Sequence, residues 1–157
     1  MRITAKVDYA VRAGAELAAA QAAGGSERAL VKGATSAPAQ QMPLRFLESI
    51  LADLRRSGIV GSQRGSEGGY WLARPAAEVS VADIIRAVEG PLADVHGAPP
   101  EDVTYTGAAA ELQRVWIATR VALREVLEQT SLAAIAGGDL PPAVAALTER
   151  PDGWSRR

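Results

Sequence analysis

Apolar and small residues recur at three- and four-residue steps near the start of the chain, which is the spacing of one buried helix face. The pattern predicts a first helix over residues 4–22. Thr4 is placed to cap the start of this helix, and Gly24 and Gly25 are placed to end it. The positions that form the apolar face are Val7, Ala10, Val11, Gly14, Leu17 and Ala18.

Two more helices are predicted before residue 58. Segment 28–37 is weakly periodic and is predicted to form a short second helix. Segment 43–56 carries a single apolar stripe and opens with Pro43, whose fixed φ suits a first helical position. Ser57 and Gly58 are expected to end this third helix. Its stripe consists of Leu47, Ile50, Leu51 and Leu54.

After Gly58 the apolar period changes to two. Apolar residues at 59–60 and 70–72 flank a polar, glycine-rich run over 63–68, and this arrangement predicts a β-hairpin. Three helices followed by a hairpin are the order of a winged helix-turn-helix, in which the third helix enters the major groove of DNA. The predicted fold class is therefore mainly α with a small β-hairpin wing.

A fourth helix and a linker follow the hairpin. Ser80 with Asp83 three residues later resembles a capping box, and Gly90 with Pro91 would end the helix that it opens. Residues 91–106 are rich in proline and glycine and lack periodicity, so they are interpreted as a linker or sensing loop.

A long helix of about six turns is predicted over 108–130. Because nothing obvious in its own chain covers the apolar stripe of this helix, a partner subunit is the natural cover, and the helix is predicted to dimerise the protein. Short helices are expected at 131–136 and 142–147. The predicted dimer stripe consists of Leu112, Val115, Trp116, Thr119, Leu123, Val126 and Leu127.

Composition limits the possible architecture and chemistry. With 157 residues and 48% apolar content, the chain suits one compact domain with a helical extension. The expected organisation is a DNA-binding domain over 1–90, a linker over 91–106, dimerisation helices over 107–148 and a frayed tail over 149–157. No stretch approaches the roughly 20 apolar residues of a membrane span, which favours a cytoplasmic protein.

The absence of cysteine excludes several kinds of site. Disulfides, thiolate zinc sites, cysteine nucleophiles and all-cysteine iron-sulfur sites all require a residue that this chain lacks. The chain also has a single histidine and no phosphate-binding loop, so an enzyme is not expected.

Charge is distributed unevenly along the chain. Residues 1–74 carry ten Lys and Arg against six Asp and Glu, a balance of +4. Residues 75–157 carry seven against twelve, a balance of −5. The basic half is the candidate DNA-binding half, because cations neutralise the phosphates of the duplex.

Polar side chains on the outer face of the third helix suit contact with duplex DNA. Arg45 lies near the N-terminus of this helix, where recognition helices contact base edges. Glu48, beside Ser49, is suited to accept a hydrogen bond from a cytosine amino group. Arg55 and Arg56 suit phosphate binding at the other end. A solvated helix face would carry the same residues, so this alternative stays open.

Arg64 lies at the tip of the predicted wing. Glycines at positions 65, 68 and 69 leave little side-chain bulk around it, so a cation here is able to approach a DNA backbone or a minor groove. An ordinary hairpin also uses glycines for its turn. Two alternative functions therefore remain: a winged-helix module that binds another protein, and a regulator that responds to a small molecule.

The chain resembles the IscR/NsrR/CymR family of bacterial winged-helix regulators, the Rrf-two family. The resemblance spans residues 1–92 and extends through the long helix to about 138. Its segments are MRITAKVDYAVRA at the N-terminus, PLRFLESILADLRRSGIV over the third helix, RGSEGGYWLARP over the wing and VSVADIIRAVEGPL beyond it.

The resemblance implies a homodimeric regulator, expected to be a repressor, that binds double-stranded DNA at a palindromic operator. It assigns contacts with the duplex to Arg45, Phe46 and Glu48 on the recognition helix and to Arg64 on the wing. Arg2 and Lys6 match positions that contact phosphates at the N-terminus.

The chain departs from this family in its sensing segment. Iron-sulfur members carry three cysteines between the fourth helix and the long helix, and this chain has none. Asp8 matches the acidic ligand of some members but is expected to stabilise the first helix. His96 does not match the histidine ligand, to which Gln113 is nearer. A branch without a cofactor is therefore expected.

A small molecule or a partner protein is an alternative signal for such a branch. The aromatic residues Trp71, Tyr105 and Trp116 are candidates to line an effector pocket where the wing meets the dimer helix. Buried aromatic residues at these spacings also serve as core, so the pocket is one of two interpretations.

Overall fold

The computed structural model describes residues 2–24, 29–32 and 43–155. Within these residues the chain forms six α-helices and one antiparallel hairpin. Short 3₁₀ turns lie at Ala76–Glu78, Pro100–Asp102 and Gly107–Ala109. The elements are α1 (Ala5–Gly24), α2 (Leu44–Arg56), β1 (Val60–Gln63), β2 (Gly69–Leu72), α3 (Val81–Glu89), α4 (Leu112–Leu127), α5 (Leu132–Gly137) and α6 (Pro142–Thr148).

The first helix and the predicted recognition helix form as their patterns indicate. Thr4 Oγ1 accepts a hydrogen bond of 3.2 Å from the Val7 amide, which confirms Thr4 as a cap of α1. Helix α2 starts directly after Pro43 and ends at Arg56. All four residues of its stripe are buried in the core between α1, α2 and α3: Leu47, Ile50, Leu51 and Leu54.

The prediction of a helix over 28–37 is wrong where the structure describes this segment. Residues 29–32 are not helical, and Val31 instead forms an isolated bridge with Tyr70 of β2. The Val31 amide donates to the Tyr70 carbonyl at 2.8 Å, and the Tyr70 amide donates back at 2.9 Å. These two bonds replace helical ones for this short stretch. The remaining positions, 28 and 33–37, lie outside the described residues.

The wing depends on close backbone approaches at its glycines. Gly61 of β1 pairs with Trp71 of β2, and a Cβ at Gly61 would lie 2.3 Å from Trp71 Cε2. A Cβ at Gly69 would lie 2.8 Å from the carbonyl oxygen of Val31. The wing of a winged helix-turn-helix is thus confirmed, with Val31 paired along its outer edge.

After the wing, the segments that precede and follow α4 both pack against the core. Ser80 and Asp83 form the predicted capping box of α3, with side-chain hydrogen bonds of 3.1 Å in each direction. Beyond α4, the Leu132 amide donates to the Val79 carbonyl at 2.8 Å. Leu132 is fully buried against Gly14 of α1, where a Cβ would meet its Cδ1 at 3.0 Å.

The helix predicted to dimerise the protein is shorter than the predicted span of 108–130. Helix α4 has 16 residues, or about four and a half turns. At its start, Gly107 adopts a positive φ of 60° and begins a 3₁₀ turn. At its end, the Thr130 carbonyl accepts a hydrogen bond of 2.9 Å from the Val81 amide. Thr130 thus lies beyond the end of α4 and contacts the start of α3.

Over the described ranges, every helix is too short or too polar to cross a lipid bilayer.

Candidate nucleic-acid interface

Helix α2 divides into a buried face and an exposed polar face. Arg45, Glu48 and Ser49 are all exposed, on the side opposite the buried stripe. Arg55 and Arg56 are exposed at the C-terminal end of the helix. The predicted base-contacting and phosphate-contacting residues therefore lie together on an accessible surface, as a helix in a major groove requires.

Asp53 organises the C-terminal end of α2. The side chain of Asp53 is only 11% exposed, and its Oδ2 lies 2.8 Å from Lys6 Nζ on α1. Its other oxygen, Oδ1, pairs with Arg56. Lys6 Nζ also donates to the Val88 carbonyl of α3 at 2.8 Å. Lys6 therefore joins α1, α2 and α3, which is a structural role beyond the phosphate contact that the sequence implies.

Arg55 connects the recognition helix with the wing. Its NH1 donates to Ser62 Oγ of β1 at 3.2 Å. Arg64 follows β1 directly and is exposed at the tip, where Gly65 takes a positive φ of 105°. Because Gly68 closes the tip over the Gln63 carbonyl, the wing presents Arg64 on a compact turn.

Of two further residues predicted to contact DNA, Phe46 is half-buried and Arg2 is exposed. Phe46 is half-buried and packs edge-to-face on Tyr9, with 5.6 Å between ring centroids and 77° between planes. This contact fixes α2 on α1, so direct DNA contact by Phe46 stays a prediction. Arg2 is exposed just ahead of α1, where a phosphate contact also stays a prediction.

The linker is fastened to α4 by polar side chains. Gln113 Nε2 lies within hydrogen-bond distance of three linker carbonyls, those of Pro100 (3.2 Å), Glu101 (3.0 Å) and Val103 (2.8 Å). Arg120 NH1 donates to Glu101 Oε2 at 2.6 Å. The pKa of the Glu101 carboxyl is lowered, first by a backbone hydrogen bond at Glu101 and then by that of Arg120.

The three aromatic residues of the predicted effector pocket are placed in two groups. Trp116 Nε1 of α4 donates to the Tyr105 hydroxyl at 3.2 Å, so these two lie together. Trp71 lies across Gly61 in the wing. A pocket shared by all three aromatic residues therefore stays a prediction.

The residues present do not fit a cysteine-ligated iron-sulfur cluster. The chain has no cysteine, and His96 is exposed on a turn with a positive φ of 54°. Asp8 pairs with Arg12 at 3.1 Å one helical turn away, and the Gln113 amide is bonded to backbone carbonyls. In the ranges with described coordinates, His, Asp and Glu nowhere gather into a group of three that suits a metal ion.

Comparison with known proteins agrees with this architecture. The family model of the iron-dependent transcriptional regulators Rrf2 matches residues 3–138. The chain belongs to the Rrf2 family. The Rrf2 match spans α1 through α5 and so includes the candidate interface, the linker and α4.

Individual Rrf2 relatives cover most of the chain. Rv1287 of Mycobacterium tuberculosis H37Rv, assigned as an HTH-type transcriptional regulator, is 48% identical and covers 95% of this chain and 89% of its own. The regulator IscR of Cereibacter sphaeroides is 33% identical over 92% of this chain and 93% of its own. The solved structure of CymR, the global cysteine regulator of B. subtilis, superposes with a TM-score of 0.71 at 29% identity, over 88% and 98%.

These comparisons confirm the winged-helix fold and a role as a DNA-binding transcription regulator rather than an enzyme. Sequence reasoning did not identify Asp53, although one carboxylate beside Arg55 and Arg56 was a visible signal. It also did not identify the bridge of Val31 or the role of Arg120. Both depend on contacts between segments distant in the chain.

Proposed function

We propose that this Rrf2 regulator acts in the cytoplasm as a homodimeric repressor that binds a palindromic operator without an iron-sulfur cluster. The observation that carries the proposal is the exposed polar face of α2, which Arg55 joins to the wing through its hydrogen bond to Ser62, together with the exposed Arg64 at the wing tip. An exposed helix with an adjoining wing suits adjacent features of a duplex.

Helix α4 supports the dimer. None of its 16 residues is buried, and Val115 and Trp116 of the predicted stripe are 52% and 38% exposed. Large apolar side chains in such a row are expected to pack against a second copy of the same helix. A two-fold dimer carries two winged helix-turn-helix domains, and its operator would therefore have two matching half-sites.

Selection of genomic DNA fragments by the purified protein tests the operator. We expect recovered fragments to share an inverted repeat with half-site centres separated by about one helical turn, 10 to 10.5 base pairs, or a multiple of it. Native mass spectrometry of the complex should give two chains per fragment. Recovery without any shared sequence, or one chain on an asymmetric site, would contradict the operator and the dimer.

Repression of transcription and the absence of an iron-sulfur cluster need separate measurements. A reporter promoter that contains a recovered operator should lose activity when the protein is supplied, whereas increased activity would identify an activator. Protein purified without oxygen should be colourless, and DNA binding should survive an iron chelator. A brown preparation with stoichiometric iron would overturn the proposal of a cluster-free regulator.

A further inference from the structure

A cavity of about 260 Å³ lies where the end of α3, the linker and α4 meet. Its charged lining consists of three cations and two carboxylates: Arg86, Arg120, Arg124, Asp94 and Glu101. Linker residues such as Pro91 and Leu92 supply apolar walls. The charges of these five side chains sum to +1, although Glu128 and Asp83 outside the lining pair with two of the cations.

Arg120 is the unusual member of this lining. Its side chain is only 17% exposed, and its Nε is buried without a hydrogen-bond acceptor among the residues that the structure describes. Buried donors in native proteins are nearly always bonded, and guanidinium groups favour planar anions that accept two bonds side by side. An acceptor is therefore missing at a cation that the fold has already buried.

Glu101 is the carboxylate that pairs with Arg120 in the structure. Its carboxylate accepts from Arg120 NH1 at 2.6 Å, yet its side chain remains 53% exposed. Because the Glu101 side chain is half exposed, water is able to solvate its carboxylate when another anion takes its place on Arg120, so Arg120 is not left unpaired. Glu101 thus resembles an internal substitute for a ligand anion.

The other two cations are restrained by a second carboxylate. Glu128 pairs with Arg86 and lies 3.7 Å from Arg124 Nε. Arg86 also lies 3.7 Å from Asp83. These contacts hold both guanidinium groups at the cavity wall from the side of α3 and the end of α4.

We propose that this cavity binds a small anion that carries a carboxylate or phosphate group, which replaces the Glu101 carboxylate on Arg120. Charge-assisted hydrogen bonds from Arg120 would hold the anionic group, and Arg86 and Arg124, which Glu128 partly neutralises, would lie beside it. The volume lies just below the range of about 300 to 1,000 Å³ typical of ligand pockets, which favours a compact ligand.

Equilibrium dialysis of the intact protein with labelled malonate or labelled inorganic phosphate, at constant ionic strength, tests the proposal. We expect saturable binding near one anion per chain. Preference for malonate would indicate a carboxylate ligand, and preference for phosphate would indicate a phosphate ligand. Unlabelled malonamide, which is neutral, should not compete. If neither malonate nor phosphate binds at millimolar concentration, the proposal is overturned.

Variants separate the site from general attraction of anions. Arg120→Gln should lose at least tenfold in affinity, while Arg114→Gln, whose side chain is 81% exposed on the same helix, should bind as the wild type does. Glu101→Gln should bind more tightly, because the internal competitor is gone. Tighter binding cannot result from unfolding, so this variant remains informative if Arg120→Gln misfolds. Equal binding by Arg120→Gln and Arg114→Gln, or weaker binding by Glu101→Gln, would overturn the proposal.

Discussion

Lys6 Nζ of α1 lies 2.8 Å from Asp53 Oδ2 of α2, so the first helix is tied to the end of the recognition helix by a half-buried ion pair. The same nitrogen donates to the Val88 carbonyl of α3. Two of the three N–H groups of Lys6 are therefore used within the fold, and a phosphate contact by the third stays a prediction.

Lys6→Met should destabilise the protein by about 1 kcal/mol, because it leaves Asp53 and the Val88 carbonyl without this partner. Urea unfolding measures the change. Arg114→Met, which breaks an exposed pair with Glu111, should change stability much less. An unaltered midpoint for Lys6→Met would contradict the structural role. A fall of about one in the salt slope of DNA binding would indicate that Lys6 also contacts a phosphate.

Arg64→Ala should weaken binding to a selected operator by about 1 to 3 kcal/mol, because Arg64 is the cation presented at the wing tip. Fluorescence anisotropy with a labelled operator measures this loss. Arg114→Ala is the matched control, since it removes an arginine from α4 outside the candidate interface. Identical titration curves for Arg64→Ala and the wild type would remove the wing from the proposed interface.

Arg55→Ala should weaken binding to all DNA sequences to a similar extent and reduce the salt slope by about one, as expected of a phosphate contact. Arg55 also donates to Ser62, so a structural effect needs its own control. Ser62→Ala removes that hydrogen bond while leaving the charge, and it should leave the salt slope unchanged. If Ser62→Ala reproduces the effect of Arg55→Ala, placement of the wing rather than charge explains it.

Gly61→Ala should destabilise the protein by about 1 to 3 kcal/mol, because the added Cβ would lie 2.3 Å from Trp71 Cε2. Chemical denaturation measures the loss. Adding Trp71→Ala to this variant should give less destabilisation than the sum of the two single changes, since the clash disappears. Ser66→Ala at the exposed tip is the control and should be near neutral. Strictly additive effects would show that the two residues do not conflict.

The sequence predicts most of the winged helix-turn-helix domain because the elements of this domain are specified by local patterns. The stripe of α2, the capping box at Ser80 and the hairpin between residues 60 and 72 each depend on neighbours a few positions apart. Such patterns determine an element together with its buried face. The exposed positions Arg45, Glu48 and Arg64 follow from the same patterns.

Three contacts that the sequence did not predict join distant segments. Val31 pairs with Tyr70, Lys6 with Asp53, and Arg120 with Glu101. Nothing in the local pattern specifies these partners. The predicted length of α4 was wrong at both ends: a 3₁₀ turn precedes Leu112, and Thr130, beyond the end at Leu127, bonds Val81 of α3.

Val115→Asp should weaken self-association, because Val115 lies in the predicted dimer stripe and is 52% exposed. Burial of an unpaired carboxylate between two copies of α4 would be costly. Val121 provides a matched control on the same helix, since it is 45% exposed and lies two and a half turns after Leu112, on the side away from the stripe. Sedimentation equilibrium should detect dissociation at micromolar concentration for Val115→Asp, whereas Val121→Asp should remain dimeric. Loss of the dimer in Val121→Asp alone would place the interface on the other face of α4.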